Sequence, residues 1–222
     1  MCGRYALALN SKELQLAFPE FTFPENIQAR FNIAPSQPIL SLPNDGTRTA
    51  TFQTWGLIPS WSKDPSIGNK LINARAETLS EKPSYRGPYK YHRCLIFANG
   101  FFEWQAQSSN KGKLPYYIHL KSGEPFAFAG LWDKWQSPDG SEIHSATIIT
   151  TTPNDLMEPI HSRMPVILPK DCYTQWIDPN PQPPSRFESI FSPYPSNEMI
   201  AEPISTLVNS PENDTPEVLI PI

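Results

Sequence analysis

Cysteine is scarce in this sequence of 222 residues, and its scarcity excludes two common ways of stabilising a fold. Cys2, Cys94 and Cys172 are odd in number and have no short paired spacing, which argues against a disulfide framework and against a structural zinc site. The four histidines show no metal-ligand spacing, and the ten glycines form no phosphate-cradling loop. We therefore expect neither a metal nor a cofactor.

Long apolar runs are absent as well. No run approaches the roughly 20 residues that cross a bilayer. The N-terminus also lacks the basic segment followed by an apolar one that marks a secretion signal. We expect a cytoplasmic protein without a membrane partner.

Proline is abundant, at 26 residues, and short apolar runs alternate with turn signals. This pattern is typical of a β-rich protein with few long helices. We expect the α+β class, with a mixed or barrel-like antiparallel sheet core and a few short helices in one domain, residues 1–222. The predicted strands cover residues 3–9, 38–42, 49–55, 94–104, 116–120, 126–132, 145–151 and 166–168.

Three short helices are predicted from capping and proline signals. Residues 12–18 follow Ser11 as a candidate N-cap, residues 154–160 follow a Thr-Thr-Pro signal, and residues 170–176 follow Pro169. The proline-rich stretch 178–195 is predicted to be a loop or linker, after which the chain returns to the body of the protein.

The net charge of −4 is unevenly distributed. Residues 1–170 carry 17 basic and 14 acidic side chains, whereas residues 171–222 carry 1 and 8. Residues 70–93 hold a basic cluster, in which six Lys and Arg face only Glu77 and Glu81. Such a cluster either neutralises phosphates or forms an ordinary solvated face.

Cys2 directly follows the initiator methionine in the segment MCGRY. Aminopeptidases remove Met1 before a small residue, and the mature chain would then begin with a cysteine that carries a free α-amine and a thiol. Such a pair condenses with an aldehyde to an imine and then, by addition of the thiol, to a five-membered thiazolidine. The reference pKa values of about 7.7–8.0 and about 8.5 leave part of each group reactive near neutral pH.

Three further polar residues stand out from their surroundings. Glu103 closes an apolar run between Phe102 and Trp104, where burial would raise its pKa and suit it to donate a proton. His161 lies in a predicted loop beside Arg163 and is either a proton shuttle, a phosphate contact or a structural histidine. Asn73 begins an alternating stretch at the head of the basic cluster. Taken singly, each also has an ordinary structural explanation.

Together, these residues and their spacing resemble the SRAP family, the SOS response-associated peptidase-like proteins that process abasic sites in single-stranded DNA. The resemblance spans the whole chain, and several separate motifs in one order are far more specific than any one of them. The matching segments are MCGRY (1–5), RFNIAP (30–35), WGLIPSW (55–61), LINARAET (71–78), GFFEW (100–104), IHSRMPVIL (160–168) and PISTLVN (203–209).

The resemblance implies a role for each candidate catalytic residue. Cys2 is implied as the nucleophile that forms a covalent thiazolidine crosslink with the abasic sugar once Met1 is lost. Asn73 is implied to recognise the sugar and orient the amine, and Glu103 and His161 to move protons. The crosslink would shield the lesion from strand cleavage. The family's peptidase label implies release of Met1 by the chain's own site, although an aminopeptidase would suffice.

The same resemblance implies the DNA contacts and the partners. Arg4, Arg75 and Arg163 each lie two positions from a site residue, and in a strand that spacing returns a side chain to the same face. Gly3, Trp61 and Trp104 are the other expected contacts, the tryptophans by stacking on bases; for Trp55 we favour core packing. The expected partner is single-stranded DNA with abasic sites, including junctions at stalled forks. We expect a monomer, associated with the nucleoid if bacterial.

Two other classes of function stay open at this stage. The chain could be a thiol peptidase or amidase that uses Cys2 with His161. It could also be a non-catalytic reader of single-stranded nucleic acid in which Cys2 is idle.

Overall fold

The computed structural model describes residues 2–107 and 112–222 and confirms the expected α+β class. The strands are β1 Tyr5–Leu7, β2 Arg30–Ile33, β3 Pro38–Pro43, β4 Thr51–Trp55, β5 Asn73–Arg75, β6 Arg93–Ala98, β7 Gly100–Ala106, β8 Lys113–Leu120, β9 Phe126–Gln136, β10 Glu142–Thr151, β11 Met164–Pro165, β12 Ile167–Leu168 and β13 Met199–Pro203. The α-helices are α1 Ser11–Ala17, α2 Pro83–Tyr91 and α3 Tyr173–Trp176. The 3-10 helices are Pro65–Lys70, Ala76–Thr78, Lys170–Cys172, Pro184–Phe191, Ser196–Glu198, Thr206–Asn209 and Pro216–Leu219.

Five strands close a mixed barrel around the main core. β3 pairs antiparallel with β4 and β6, β6 with β9, and β9 with β10, and a parallel pairing of β10 with β4 completes the circuit. β5 lies parallel to β10 outside that circuit, with Asn73 opposite Ile148. The barrel therefore carries, on one outer strand, the residue that the sequence analysis placed beside Cys2.

A second sheet of five antiparallel strands, in the order β13-β8-β7-β1-β2, holds the N-terminal segment. β1 lies between β2 and β7, with Tyr5 opposite Phe101 and Ala6 opposite Gly100. A side chain at Gly100 would begin 2.5 Å from the Tyr117 ring and 2.6 Å from the Ile118 carbonyl oxygen. Only glycine therefore fits at this point, where β7 lies between β1 and β8.

The predicted strand 94–104 is in fact two strands, β6 of the barrel and β7 of the second sheet. Asn99 separates them: its N–H donates to the Ala6 carbonyl at 2.8 Å, and its Oδ1 accepts from the Ala8 N–H at 2.7 Å. An unbroken apolar run does not show such a change of sheet, because both strands are buried.

Two helix predictions need correction. α1 is capped by Asn10, which forms a reciprocal capping box with Glu13, while the Ser11 hydroxyl donates to the Glu25 carbonyl. The predicted helix 154–160 is absent, and residues 155–160 form successive turns instead. The Asn154 side chain bonds the Met157 N–H at 3.0 Å, and Pro159 has no N–H to continue a helix.

α2 is not among the predicted helices, because Pro88 and Gly87 stand inside it. β2, β5, β11 and β13 are not among the predicted strands either.

The acidic C-terminal segment packs on the second sheet. Val208 and Val218 are buried with Phe102. The Asp214 carboxylate accepts from the backbone N–H groups of Phe31 and Asn32 and pairs with Arg30. The carboxylate therefore ties the end of the chain to β2.

Arg93 belongs to the core and not to a basic surface. Its side chain is buried, so it does not belong to the predicted basic cluster. Burial lowers the pKa of the guanidinium to about 10, and the group therefore stays charged at neutral pH. It donates hydrogen bonds of 2.6–3.2 Å to the carbonyl oxygens of Trp176, Tyr89, Lys90, Asp178 and Asn180. These bonds, with buried Phe187 against Trp176, bind the proline-rich stretch 178–195 to the body, so it is not a linker.

Replacing Arg93 by leucine should lower the free energy of unfolding by about 3 kcal/mol or more, because the change leaves several buried carbonyl groups without a donor. Urea denaturation measures the change. Arg86→Leu is the matched control, since Arg86 is an exposed arginine on α2, and it should change stability by less than about 0.5 kcal/mol. Equal effects of the two substitutions would contradict the structural role of Arg93.

Candidate active site around Cys2

Cys2 is fully buried at the entry to β1. Its backbone carbonyl accepts a hydrogen bond of 2.8 Å from the Asn73 side-chain amide. The backbone of Asn73 is held in turn by β5 and by the Tyr85 hydroxyl, which donates to the Asn73 carbonyl at 3.0 Å. The N-terminal segment is therefore fixed to the barrel from 71 residues away in sequence.

Glu103 is the second member of this cluster. It lies on β7, and only 3% of its surface is exposed. Burial raises the pKa of its carboxyl group, and nearby His161 acts in the opposite direction. The Phe102 N–H donates to the Arg4 carbonyl at 2.9 Å, so pairing of β7 with the start of the chain brings Glu103 beside Cys2.

Burial is also the main cause that raises the pKa of the Cys2 thiol, followed by the charge of Glu103. The thiol is therefore protonated at neutral pH. Any reaction of this sulfur needs a group that takes up its proton, and Glu103, whose charge acts on the thiol, is a candidate.

His161 is half-buried in the loop before β11. Its Nδ1 accepts a hydrogen bond of 3.0 Å from the backbone N–H of Arg163. The same nitrogen lies 3.2 Å from the Arg163 carbonyl oxygen, so the backbone of Arg163 holds the ring at Nδ1 from two sides. These contacts fix the position of the imidazole in the loop before β11.

The three predicted DNA-binding arginines differ in their surroundings. Arg75 is exposed, and within the described residues its guanidinium makes no hydrogen bond or ion pair. Arg163 is bound to Glu77, and Arg4 donates to Asn32 and to the carbonyls of residues 208 and 209. Each arginine was predicted to share a strand face with the site residue two positions away, but only Asn73 and Arg75 lie together in a strand. DNA contacts by Arg4 and Arg163 stay predictions.

The tryptophans also divide into two groups. Trp55 is fully buried, as favoured, and donates to the Ile72 carbonyl at 2.9 Å. Trp61 is 58% exposed. Trp104 is half-buried and donates to the Asn209 side chain at 2.7 Å. Trp61 thus has a ring available for stacking, while the contacts of Trp104 and half-buried Gly3 with DNA stay predictions.

A groove of about 460 Å³ runs from Asn73 along the basic cluster. Four of the residues that line it are not among the predicted site residues: Thr78, Lys82, Ser84 and Tyr85. A larger cavity of about 580 Å³, lined by residues such as Phe126 and Tyr194, contains none of the four candidate catalytic residues. We therefore take the groove beside Asn73 as the approach for a ligand.

The residues that the structure describes contain no cluster of three or more His, Cys, Asp or Glu placed to hold a metal ion. Among the same residues, none of the helices is long and apolar enough to span a bilayer.

The raised pKa of Glu103 can be tested without a substrate. The pKa of Glu103 is raised in the folded state, so the unfolded chain releases this proton at a lower pH than the folded chain does. The free energy of unfolding therefore falls as the pH rises above the ordinary glutamate pKa of about 4.3. Glu103→Gln removes that penalty. The free energy of unfolding of the variant, relative to the wild type with the same N-terminus, should be higher at pH 8 than at pH 4.

Urea denaturation at the two pH values measures this difference. Exposed Glu158 supplies the control, since Glu158→Gln should behave alike at both. A difference between Glu103→Gln and wild type that does not change with pH would show that Glu103 has no raised pKa.

Comparison with known proteins agrees with the motifs. The profile of the SOS response associated peptidase (SRAP) family matches residues 1–211. The abasic site processing protein YoqW of Bacillus subtilis (strain 168) is 46% identical over 222 residues, 99% of each chain. The abasic site processing protein HMCES of Gallus gallus is 33% identical, covering 100% of this chain and 78% of that protein. A crystal structure of a Bacteroides thetaiotaomicron protein superposes over 100% of both chains, with a TM-score of 0.88 and 27% identity.

Proposed function

The chain belongs to the SRAP family, and from that premise we propose that it processes abasic sites in single-stranded DNA by forming a covalent crosslink through Cys2. The relatives named above as abasic site processing proteins cover nearly the whole chain, which supports the substrate class. The observation that carries the proposal is the hydrogen bond from Asn73 to the Cys2 carbonyl, within a cluster that also contains Glu103 and His161.

The first step is capture of the aldehyde. An abasic deoxyribose is mostly a closed hemiacetal, and Glu103, whose raised pKa favours the protonated acid, gives a proton to the ring oxygen as the ring opens. The α-amine of Cys2 then attacks C1′, and loss of one water leaves an imine. Asn73 holds the Cys2 backbone, so the amine is oriented before the sugar arrives.

The second step closes the ring. The Cys2 sulfur bonds to C1′, its proton leaves, and the imine nitrogen gains one. Glu103 and His161 carry these two protons, so the net change is the loss of a single water. Closure consumes the imine that would otherwise undergo β-elimination and cut the strand.

The raised pKa of the thiol helps to choose between this reaction and ordinary thiol hydrolysis. A cysteine peptidase uses a thiolate stabilised by a cationic histidine, but burial and Glu103 favour the neutral Cys2 thiol. Addition to an imine on the same residue is intramolecular, so a small thiolate fraction is sufficient. This contrast supports the crosslinking reaction over a thiol peptidase or amidase.

Removal of Met1 is the step that makes Cys2 reactive, because an amide nitrogen cannot form an imine. We propose that an aminopeptidase or the chain's own site performs it. An N-terminal extension that resists cleavage should therefore abolish crosslinking.

The reaction should depend on the Cys2 sulfur in a specific way. With an oligonucleotide that contains one abasic site, the wild type should give a heat-stable adduct, with little strand cleavage. Cys2→Ala keeps an α-amine and so can still form the imine, but it cannot close the ring. This variant should yield an adduct only after borohydride reduction, and more cut DNA.

A denaturing gel with an intact oligonucleotide as control measures both products, and mass spectrometry should show protein plus DNA minus one water. A heat-stable adduct of equal yield from Cys2→Ala would rule out the thiazolidine. Binding without any adduct from the wild type would instead favour the non-catalytic reader.

The basic groove beside Asn73 supports the proposed DNA track. Arg75 and Lys82 line it with positive charge, and Trp61 is exposed for stacking. Reaching a sugar inside a stacked duplex requires unstacking, so we propose that single strands, and junctions at stalled forks, are the preferred substrates. We propose that it acts as a monomer in the cytoplasm, associated with the nucleoid if its source is bacterial.

Arg75→Ala should weaken binding to all single strands and reduce the slope of log affinity against log salt by about one, because one phosphate contact is lost. Fluorescence anisotropy at several salt concentrations measures both quantities. Arg48→Ala is the matched control, since Arg48 is exposed but lines a different cavity. An unchanged affinity of Arg75→Ala at low salt would refute the contact.

A further inference from the structure

Glu77 forms a two-pronged ion pair with Arg163. The Arg163 Nη1 and Nη2 atoms donate to Oε1 and Oε2 of Glu77 at 2.7 and 2.9 Å. Nη2 also donates to the Thr150 carbonyl at 2.6 Å. Only 15% of the Arg163 side chain is exposed, against 49% of Glu77. Two parallel bonds to a mostly buried guanidinium fix its geometry far better than a single surface contact does.

The pair joins two arms of the candidate site. Glu77 lies in the 3-10 helix Ala76–Thr78, which directly follows β5 and therefore Asn73. Arg163 lies two residues after His161. Thr150, the third partner, is on β10 opposite Arg75. Both arms also pair with β10, and the Glu77–Arg163 pair adds a direct side-chain link between them across 86 residues.

The connection reaches the imidazole through the main chain. The Arg163 N–H donates to Nδ1 of His161 at 3.0 Å. The turn 161–163 is not part of a helix or strand, so its shape depends on contacts such as this pair. Holding the Arg163 side chain restricts the peptide that orients the ring.

We propose that Glu77 is a positioning residue for the reaction at Cys2, an inference that rests on the proposed function. Its carboxylate holds Arg163, and through the Arg163 N–H it keeps the His161 ring in the orientation that proton transfer at the site requires. The role is indirect, because Glu77 touches Arg163 and not the reacting atoms.

The charge of Glu77 distinguishes this role from one in DNA binding. The Glu77 carboxylate interacts with the charge of Arg75, which lines the basic groove, so it repels phosphates there, and it occupies an arginine that would otherwise bind one. A site built for affinity alone gains nothing from it. Glu77 therefore lowers the affinity for DNA while it raises the rate of the chemical step.

Glu77→Gln tests the inference, because it removes the charge and keeps the shape. We expect single-strand affinity at low salt to rise about threefold, since one repulsive charge is lost. We expect the single-turnover crosslinking rate at saturating protein to fall about tenfold, because the ring is misplaced. Glu81→Gln is the control: Glu81 is exposed in the same segment, and its carboxylate forms no hydrogen bond or ion pair with the other described residues. It should show a similar gain in affinity with an unchanged rate.

A double-mutant cycle provides the second measurement. If Glu77 acts through Arg163, Glu77→Gln should slow the reaction much less in an Arg163→Lys background, where the two parallel bonds are already lost. Equal effects in the two backgrounds would overturn the inference. So would a wild-type rate in Glu77→Gln, or a joint loss of affinity, rate and melting temperature. Absence of any crosslink with the wild type would instead refute the proposed function itself.

Discussion

The 2.8 Å hydrogen bond from the Asn73 amide to the Cys2 carbonyl ties Cys2 to the barrel, while β1 pairs with the second sheet. The first residues of a chain are usually poorly ordered unless such contacts hold them. With this hydrogen bond, the start of β1 is held between the second sheet, which supplies Glu103, and the barrel, which supplies Asn73 through β5. The same contact therefore organises both structure and proposed chemistry, because it places the backbone nitrogen of Cys2 at the junction of the two sheets.

The site retains polar groups that a core built only for stability would lack. Glu103 is buried at the cost of a raised pKa, and Oδ1 of Asn73 is buried without a hydrogen-bond partner among the described residues. An unsatisfied buried acceptor costs about 1–3 kcal/mol. An acceptor held open beside the approach groove is suited to a hydroxyl of an incoming sugar. Arg93 illustrates the opposite arrangement, since five carbonyls surround its guanidinium.

The four candidate catalytic residues were identifiable from sequence because each stands out against its local pattern and because their order matches one family. The strands of the barrel were identifiable from their apolar runs. Contacts between segments that are distant in sequence could not be identified in this way. No local pattern shows that Arg93 is buried while Arg75 is exposed, or that Glu77 pairs with Arg163. α2 stayed hidden because its two prolines read as turn signals, although Pro83 suits a first turn.

The central claim is that the abasic sugar becomes bonded to the N-terminal residue and to no other. Tryptic mapping of the crosslinked protein, after nuclease digestion of the DNA, tests it most directly. Trypsin cleaves after Arg4, so the account predicts that the sugar remnant is carried by the peptide of residues 2–4, with the attachment at Cys2. Attachment to a lysine of the groove such as Lys82, with an unmodified N-terminal peptide, would contradict the account.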